Sequence, residues 1–125
     1  MQAAYVVRVR FRLAPTEGRV SVDPATFETT VFWSAPEPGS DGWLFFRDHC
    51  WHGEFNEPGH ASELLSEALG VRVEDASFSE LRTDEAYRDA LLAAVGANLD
   101  LFNADSTSEA LSKYLGSSIH VVDEL

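Results

Sequence analysis

The chain has 125 residues, the length of one ordinary domain able to bury its own core. Apolar residues make up 45% of it and aromatics 11%, which excludes a disordered tail. Twenty-one acids against nine bases give a formal net charge of -12, a balance that disfavours wholesale coating by nucleic acid.

Only one of the nine bases is a lysine, Lys113, and the acids spread along the whole chain. Folding under this charge costs self-repulsion in dilute buffer. At 1 M salt the Debye length is only ~3 Å, and most of that repulsion disappears. An acidic, lysine-poor domain with a full apolar core therefore reads as adapted to a salt-rich cytosol. The one cysteine, Cys50, excludes an internal disulfide and a four-cysteine zinc site. The first residues lack the basic-then-apolar pattern of a secretory leader. The longest aliphatic stretch, at 90–95, is far short of the ~20 residues a spanning helix needs. The expectation is one soluble, cytoplasmic domain over residues 1–125.

In chain order, residues 5–13 alternate strictly. Tyr5, Val7, Val9, Phe11 and Leu13 point one way and Arg8, Arg10 and Arg12 the other, the pattern of a half-buried strand. A second strand is predicted over 27–33, with Phe27, Thr29, Val31 and Trp33 on one face. The prolines and glycines of 34–42 mark a loop. Residues 43–51 are predicted as a helix capped by Asp41 and stopped by Gly53. On it Trp43, Phe46 and Cys50 share a face, while Phe45 falls on the outer side with Asp48, His49 and His52. Ala61, Leu64, Leu65, Ala68 and Leu69 recur at helical spacing between Pro58 and a stop at Gly70. A third strand follows at 71–81, with an irregularity at Glu74 and Asp75 where the apolar phase changes.

Thr83 is predicted to cap the longest helix, 84–102, whose stripe is Tyr87, Ala90, Leu91, Ala94, Val95, Leu99 and Phe102. Gly96 lies inside it, at ~1 kcal/mol relative to alanine. Ser106 and Glu109 form a capping box for a short helix, and 119–122 is a last strand. The order β-β-α-α-β-α-α-β implies an α+β fold. The expected form is a two-layer sandwich of a small, mostly antiparallel sheet with helices on one face. The Phe11 face of the first strand is expected to meet the 84–102 stripe.

Two constellations can carry chemistry. His49, Cys50, His52, Glu54 and His60 are all possible zinc ligands within twelve residues. Helical geometry separates Cys50 from both His49 and His52, so a core cysteine with solvated histidines is favoured over a metal site or a Cys–His dyad. Arg8, Arg10 and Arg12 make a cationic stripe. A charge ladder with Glu28 and Glu80 is favoured over an anion site or a protein interface. The aromatic Phe45 among Asp48, His49 and His52 is a candidate contact patch, pH-sensitive through its imidazoles. No phosphate-binding or dinucleotide fingerprint is present.

Asp-Gly-Trp-Leu-Phe-Phe-Arg-Asp at 41–48, Leu-Arg-Thr-Asp-Glu-Ala-Tyr at 81–87 and Lys-Tyr-Leu-Gly-Ser-Ser-Ile at 113–119 resemble a family of small haloarchaeal proteins, the LWR-salt proteins. Where the family's naming Leu-Trp-Arg tripeptide would fall, this chain has Cys50, Trp51 and His52. The resemblance implies a salt-rich cytosol and no particular activity. The functional expectation is a non-catalytic interaction or accessory domain without a cofactor, with a protein partner or a homo-oligomer and no membrane. The alternatives are a small metal-dependent enzyme using the His49 to His60 region and a nucleic-acid module using the arginine face.

Overall fold

In the computed structural model, residues 1–49, 58–115 and 118–123 are described. The elements are β1 (Ala3–Arg12), β2 (Thr26–Ser34), α1 (Phe45–His49), α2 (Pro58–Leu69), β3 (Arg72–Thr83), α3 (Glu85–Ala97), a 3-10 turn (Leu99–Phe102), α4 (Thr107–Tyr114) and β4 (Ile119–Val121). The chain is an α+β fold on an open, mixed, four-stranded sheet ordered β2-β1-β3-β4. The first two pairings are antiparallel, and β4 runs parallel to β3.

β1 is one of the two inner strands of the sheet, and it alternates from Val7 onward. Tyr5, Val7 and Val9 are buried, while Arg8, Arg10 and Arg12 are exposed. Pairing with β3 slips at two places, each with one extra β3 residue. One is Glu74, in the irregular stretch expected from the apolar phase. The other is Ser79, which the alternation of this polar stretch does not reveal. The buried side chains of β1 and β3 join Phe46, Leu65, Tyr87, Leu91, Val95, Phe102, Ala110 and Leu115 in one core. The inward residues of β1 and the α3 stripe thus contribute to one core.

Local chemistry departs from the sequence expectation at three helices. Asp84, not Thr83, caps α3, accepting the Tyr87 N–H at 2.8 Å. Thr83 is buried as the last residue of β3. The predicted 84–102 helix also breaks at Asn98, whose side-chain amide donates to the Ala94 carbonyl at 2.8 Å. That contact ends α3, and the 3-10 turn then delivers Phe102 to the core. In α2 only Leu65 of the described stripe is buried, and Ala68 and Leu69 are exposed. The Ser66 hydroxyl ties this helix to β3, accepting the Val73 N–H at 2.9 Å. The α4 capping box forms with a shift. Ser106 accepts the Glu109 N–H, and the Glu109 carboxylate accepts from Asp105 N–H instead of that of the cap.

Gly96 has a packing reason. A Cβ built there would lie 2.9 Å from the Thr107 hydroxyl of α4. Helix propensity alone would make Gly96→Ala stabilising by about 1 kcal/mol. The contact should cancel that gain and leave Tm at or below the parent value. In a Thr107→Ala background the same substitution should raise Tm, so a double-mutant cycle by thermal melting checks the clash.

Asp84 also accepts the Gln2 N–H at 2.8 Å, joining the start of β1 to α3. The bonds from the Tyr87 and Gln2 amides hold its carboxyl below the usual aspartate range. A depressed folded pKa means stability that is present above the ordinary value and lost as pH falls through the folded one. Melting from pH 6 to pH 2 should therefore show a steeper loss below about pH 4 in the parent than in Asp84→Asn. Equal slopes would contradict this assignment.

Candidate interaction surface

The side chains of β1 that point away from the core lie on an open sheet face. Arg8, Arg10 and Arg12 are exposed along it, beside Thr26, Glu28, Thr30 and Phe32 of β2. On the other side stand Arg72, Asp75, Ser77, Glu80 and Arg82 of β3. Five of the eight arginines of the chain therefore fall on this one face. It is not uniformly basic, because the pairing interleaves acids. Arg10 stands opposite Glu28 on one side and Asp75 on the other. Its closest carboxylate is the bulge residue Glu74, at 3.9 Å.

The predicted ladder is thus partly corrected. Glu80 sits opposite Val6, beyond the Arg8 end of the stripe, and it is the Ser79 bulge that turns it to this outer face instead of opposite Tyr5. There it binds Arg82 at 3.0 Å and lies 3.9 Å from His120 Nδ1. Arg8 and Arg12 have no carboxylate within 4 Å among the described residues. Arg12 instead faces Arg72 directly across the pair, a like-charge juxtaposition that sheets normally avoid.

The apolar centre of this face escaped sequence reasoning. Phe32 is 58% exposed, and the Arg82 guanidinium lies over its ring at 5.5 Å. Beside Phe32 in register is Val6, only 4% exposed although it belongs to the outward set. The signal was present in the sequence. Val6 interrupts the polar side of the β1 alternation, and Phe32 does the same in β2.

The Phe45 patch takes a different form from the one expected. A turn through 40–43 precedes α1, which spans only five residues. Gly42 has a φ of +82°, and this re-aims the helix. Phe45 consequently turns to the sheet, with its ring centroid 4.9 Å from Tyr5 and stacked on Trp33 at 5.9 Å. Phe46, about 100° further round the helix, stacks on Phe102. The short helix is wedged between sheet and helices, so both phenylalanines are used for packing. Phe45 and the exposed Asp48 still line one shallow hollow, together with Ser40 and Asp41. Asp48 is held by Arg47 at 2.9 Å, and Arg47 also donates to the Leu101 carbonyl. Cys50, His52 and Glu54, and the side chains of His49 and His60, lie outside the described residues. Among the described residues no three His, Cys, Asp or Glu side chains are grouped to hold a metal ion. No described helix is long and apolar enough to cross a membrane.

Fold and surface together define a class, an α+β domain on an open four-stranded sheet that carries an exposed row of arginines among the described residues. The chain belongs to the LWR-salt protein family, which matches it over residues 1–125. No curated protein and no solved structure matches it.

Proposed function

We propose that this protein is a non-catalytic interaction or accessory domain of a salt-rich cytosol, and that the open sheet face receives a protein partner. The observation that carries the reading is the gathering of five of eight arginines on one uncovered face of a chain with net charge -12. The rest of the molecule repels an acidic partner, and this face does not. Phe32 supplies an exposed aromatic anchor within it, of the kind that dominates binding energy at protein interfaces.

The interleaved acids argue for a protein surface over a nucleic acid. A phosphate backbone would meet Glu28, Asp75 and Glu80 along with the arginines. Three phosphate contacts would also lose about 2.7 decades of affinity per decade of salt. The face is tested by reversing two of its arginines that have no close carboxylate. Arg8→Glu/Arg12→Glu should fold with unchanged Tm and lose partners captured by the parent from extract in molar KCl. Equal capture would overturn the reading. Retention of single-stranded RNA by the parent in molar KCl would replace it with the nucleic-acid one.

A further inference from the structure

The outer edge of β2 is an unguarded sheet edge. It is nine residues long, and its pairing with β1 runs through all nine positions without a bulge. Such edges are normally blunted by lysine, proline, bulges or shortness. β2 has none of these devices. Its sequence, Thr-Phe-Glu-Thr-Thr-Val-Phe-Trp-Ser, contains a single charge, Glu28, in a chain that is 24% charged. β-branched and aromatic residues make up most of the rest.

The hydrogen-bond parity shows which backbone groups are free. Leu13 N–H donates to the Ala25 carbonyl and Ala35 N–H to the Ala3 carbonyl. In an antiparallel pair such bonded positions alternate, so the odd residues of β2 bond to β1. The N–H and C=O groups of Thr26, Glu28, Thr30, Phe32 and Ser34 therefore point to the outer edge, where no described strand pairs with them.

We infer that β2 pairs with β2 of a second copy, antiparallel about a two-fold axis at Thr30, to make one continuous eight-stranded sheet. The register follows from the sequence. Thr30 is the midpoint of the strand and belongs to the outward-bonding set. A two-fold there places Thr30 opposite itself, Glu28 opposite Phe32, and Thr26 opposite Ser34. The two Glu28 carboxylates are kept apart, whereas a two-fold at Glu28 would set like charges face to face. On the core-side face, Phe27, which is 36% exposed, meets Trp33 of the second copy twice over. Those positions are non-hydrogen-bonded pairs, where side chains approach most closely. Two copies of net charge -12 repel at low ionic strength, so pairing is expected in molar KCl. The dimer would also set two arginine faces side by side, offering a bivalent surface to a partner.

The test is mass and register in molar KCl. The parent should sediment at twice the monomer mass. Thr30→Pro removes the outward N–H at the two-fold without touching the β1 ladder, and should sediment as a folded monomer. In a Cys50→Ser background, Thr30→Cys should oxidise to a linked dimer, since opposite Cα atoms would lie about 5.5 Å apart. Thr26→Cys should not, because its two copies would sit about 27 Å apart along the strands at ~3.4 Å per residue. A parent that stays monomeric overturns the inference. So does efficient linking through Thr26→Cys, or none through Thr30→Cys. The cysteine pair decides even if Thr30→Pro fails to fold. No readout involves another protein, so failure here is distinguishable from failure of the partner reading.

Discussion

Raising KCl from about 0.1 M to 1 M should raise the Tm of this protein by on the order of 10 °C, with most of the rise complete by the upper end. The Debye length falls from ~10 Å to ~3 Å over that range. For a chain of this size 10 °C corresponds to roughly 2.5 kcal/mol. The repulsion has identifiable sources. Glu63 and Glu67 stand four residues apart on α2, both exposed, and that helix has no basic residue in its last turn. Like charges at this spacing destabilise a helix, and an acid near its C-terminus opposes the dipole. Glu67→Lys converts the repulsive pair into an attractive one and places a cation at the favourable end. It should add about 0.5–1.5 kcal/mol at low salt and little in molar KCl. The halophilic reading therefore makes a joint prediction, a rising parent curve and a flatter one for Glu67→Lys. A parent Tm that is flat or falls with KCl would remove the salt-adaptation argument altogether.

How much of this was legible in the sequence depended on which force decided each element. Hydrophobic period decided most of them. β1 alternates from Val7 to Arg12, and the α3 stripe repeats at helical spacing, so both appear where the pattern puts them. The element order is the predicted one, and the Glu74 irregularity was visible as a change of phase. The failures are local hydrogen-bond chemistry and chain direction. Thr83 and Asp84 are both good caps by type. Only the length of β3, which absorbs Thr83 as its buried last residue, decides between them. Nothing in the periodicity shows that the Asn98 side chain will close onto Ala94 and end the helix.

The candidate surface was half legible. The arginine stripe follows directly from alternation, and Glu28 faces Arg10 as expected for neighbouring strands. Glu80 lies beyond the stripe because the β1–β3 register sets it opposite Val6, and alternation within each strand carries no information on that register. Phe45 was misplaced because helical-wheel geometry assumes a helix begun at Trp43. The turn ahead of α1 resets that phase, and in five residues no face of a helix can be called outer until its neighbours are known.

Those neighbours make Phe102 the most consequential single side chain. It is 0% exposed and lies where three helical segments meet. Its ring stacks on Phe46 of α1 at 5.7 Å and meets Trp43 edge-on at 5.8 Å and Tyr114 of α4 at 6.0 Å. Replacing it by alanine removes the transferred apolar area and all three ring contacts, and leaves a cavity that rigid aromatic walls cannot fill by collapse. Phe102→Ala should cost about 3–5 kcal/mol. That is a large share of the 5–15 kcal/mol typical of a domain, so the variant should be largely unfolded in dilute buffer and partly rescued by molar KCl. Phe102→Leu keeps most of the volume and should cost less, its loss set by ring contacts worth about 0.5–1.5 kcal/mol each. Leu101, next in the chain and 41% exposed, is the control. Leu101→Ala should stay within about 0.5 kcal/mol of the parent. Urea melts in molar KCl, read for midpoint and slope, separate these cases. A Phe102→Ala loss no larger than that of Leu101→Ala would mean that the aromatic junction does not hold the helices to the sheet.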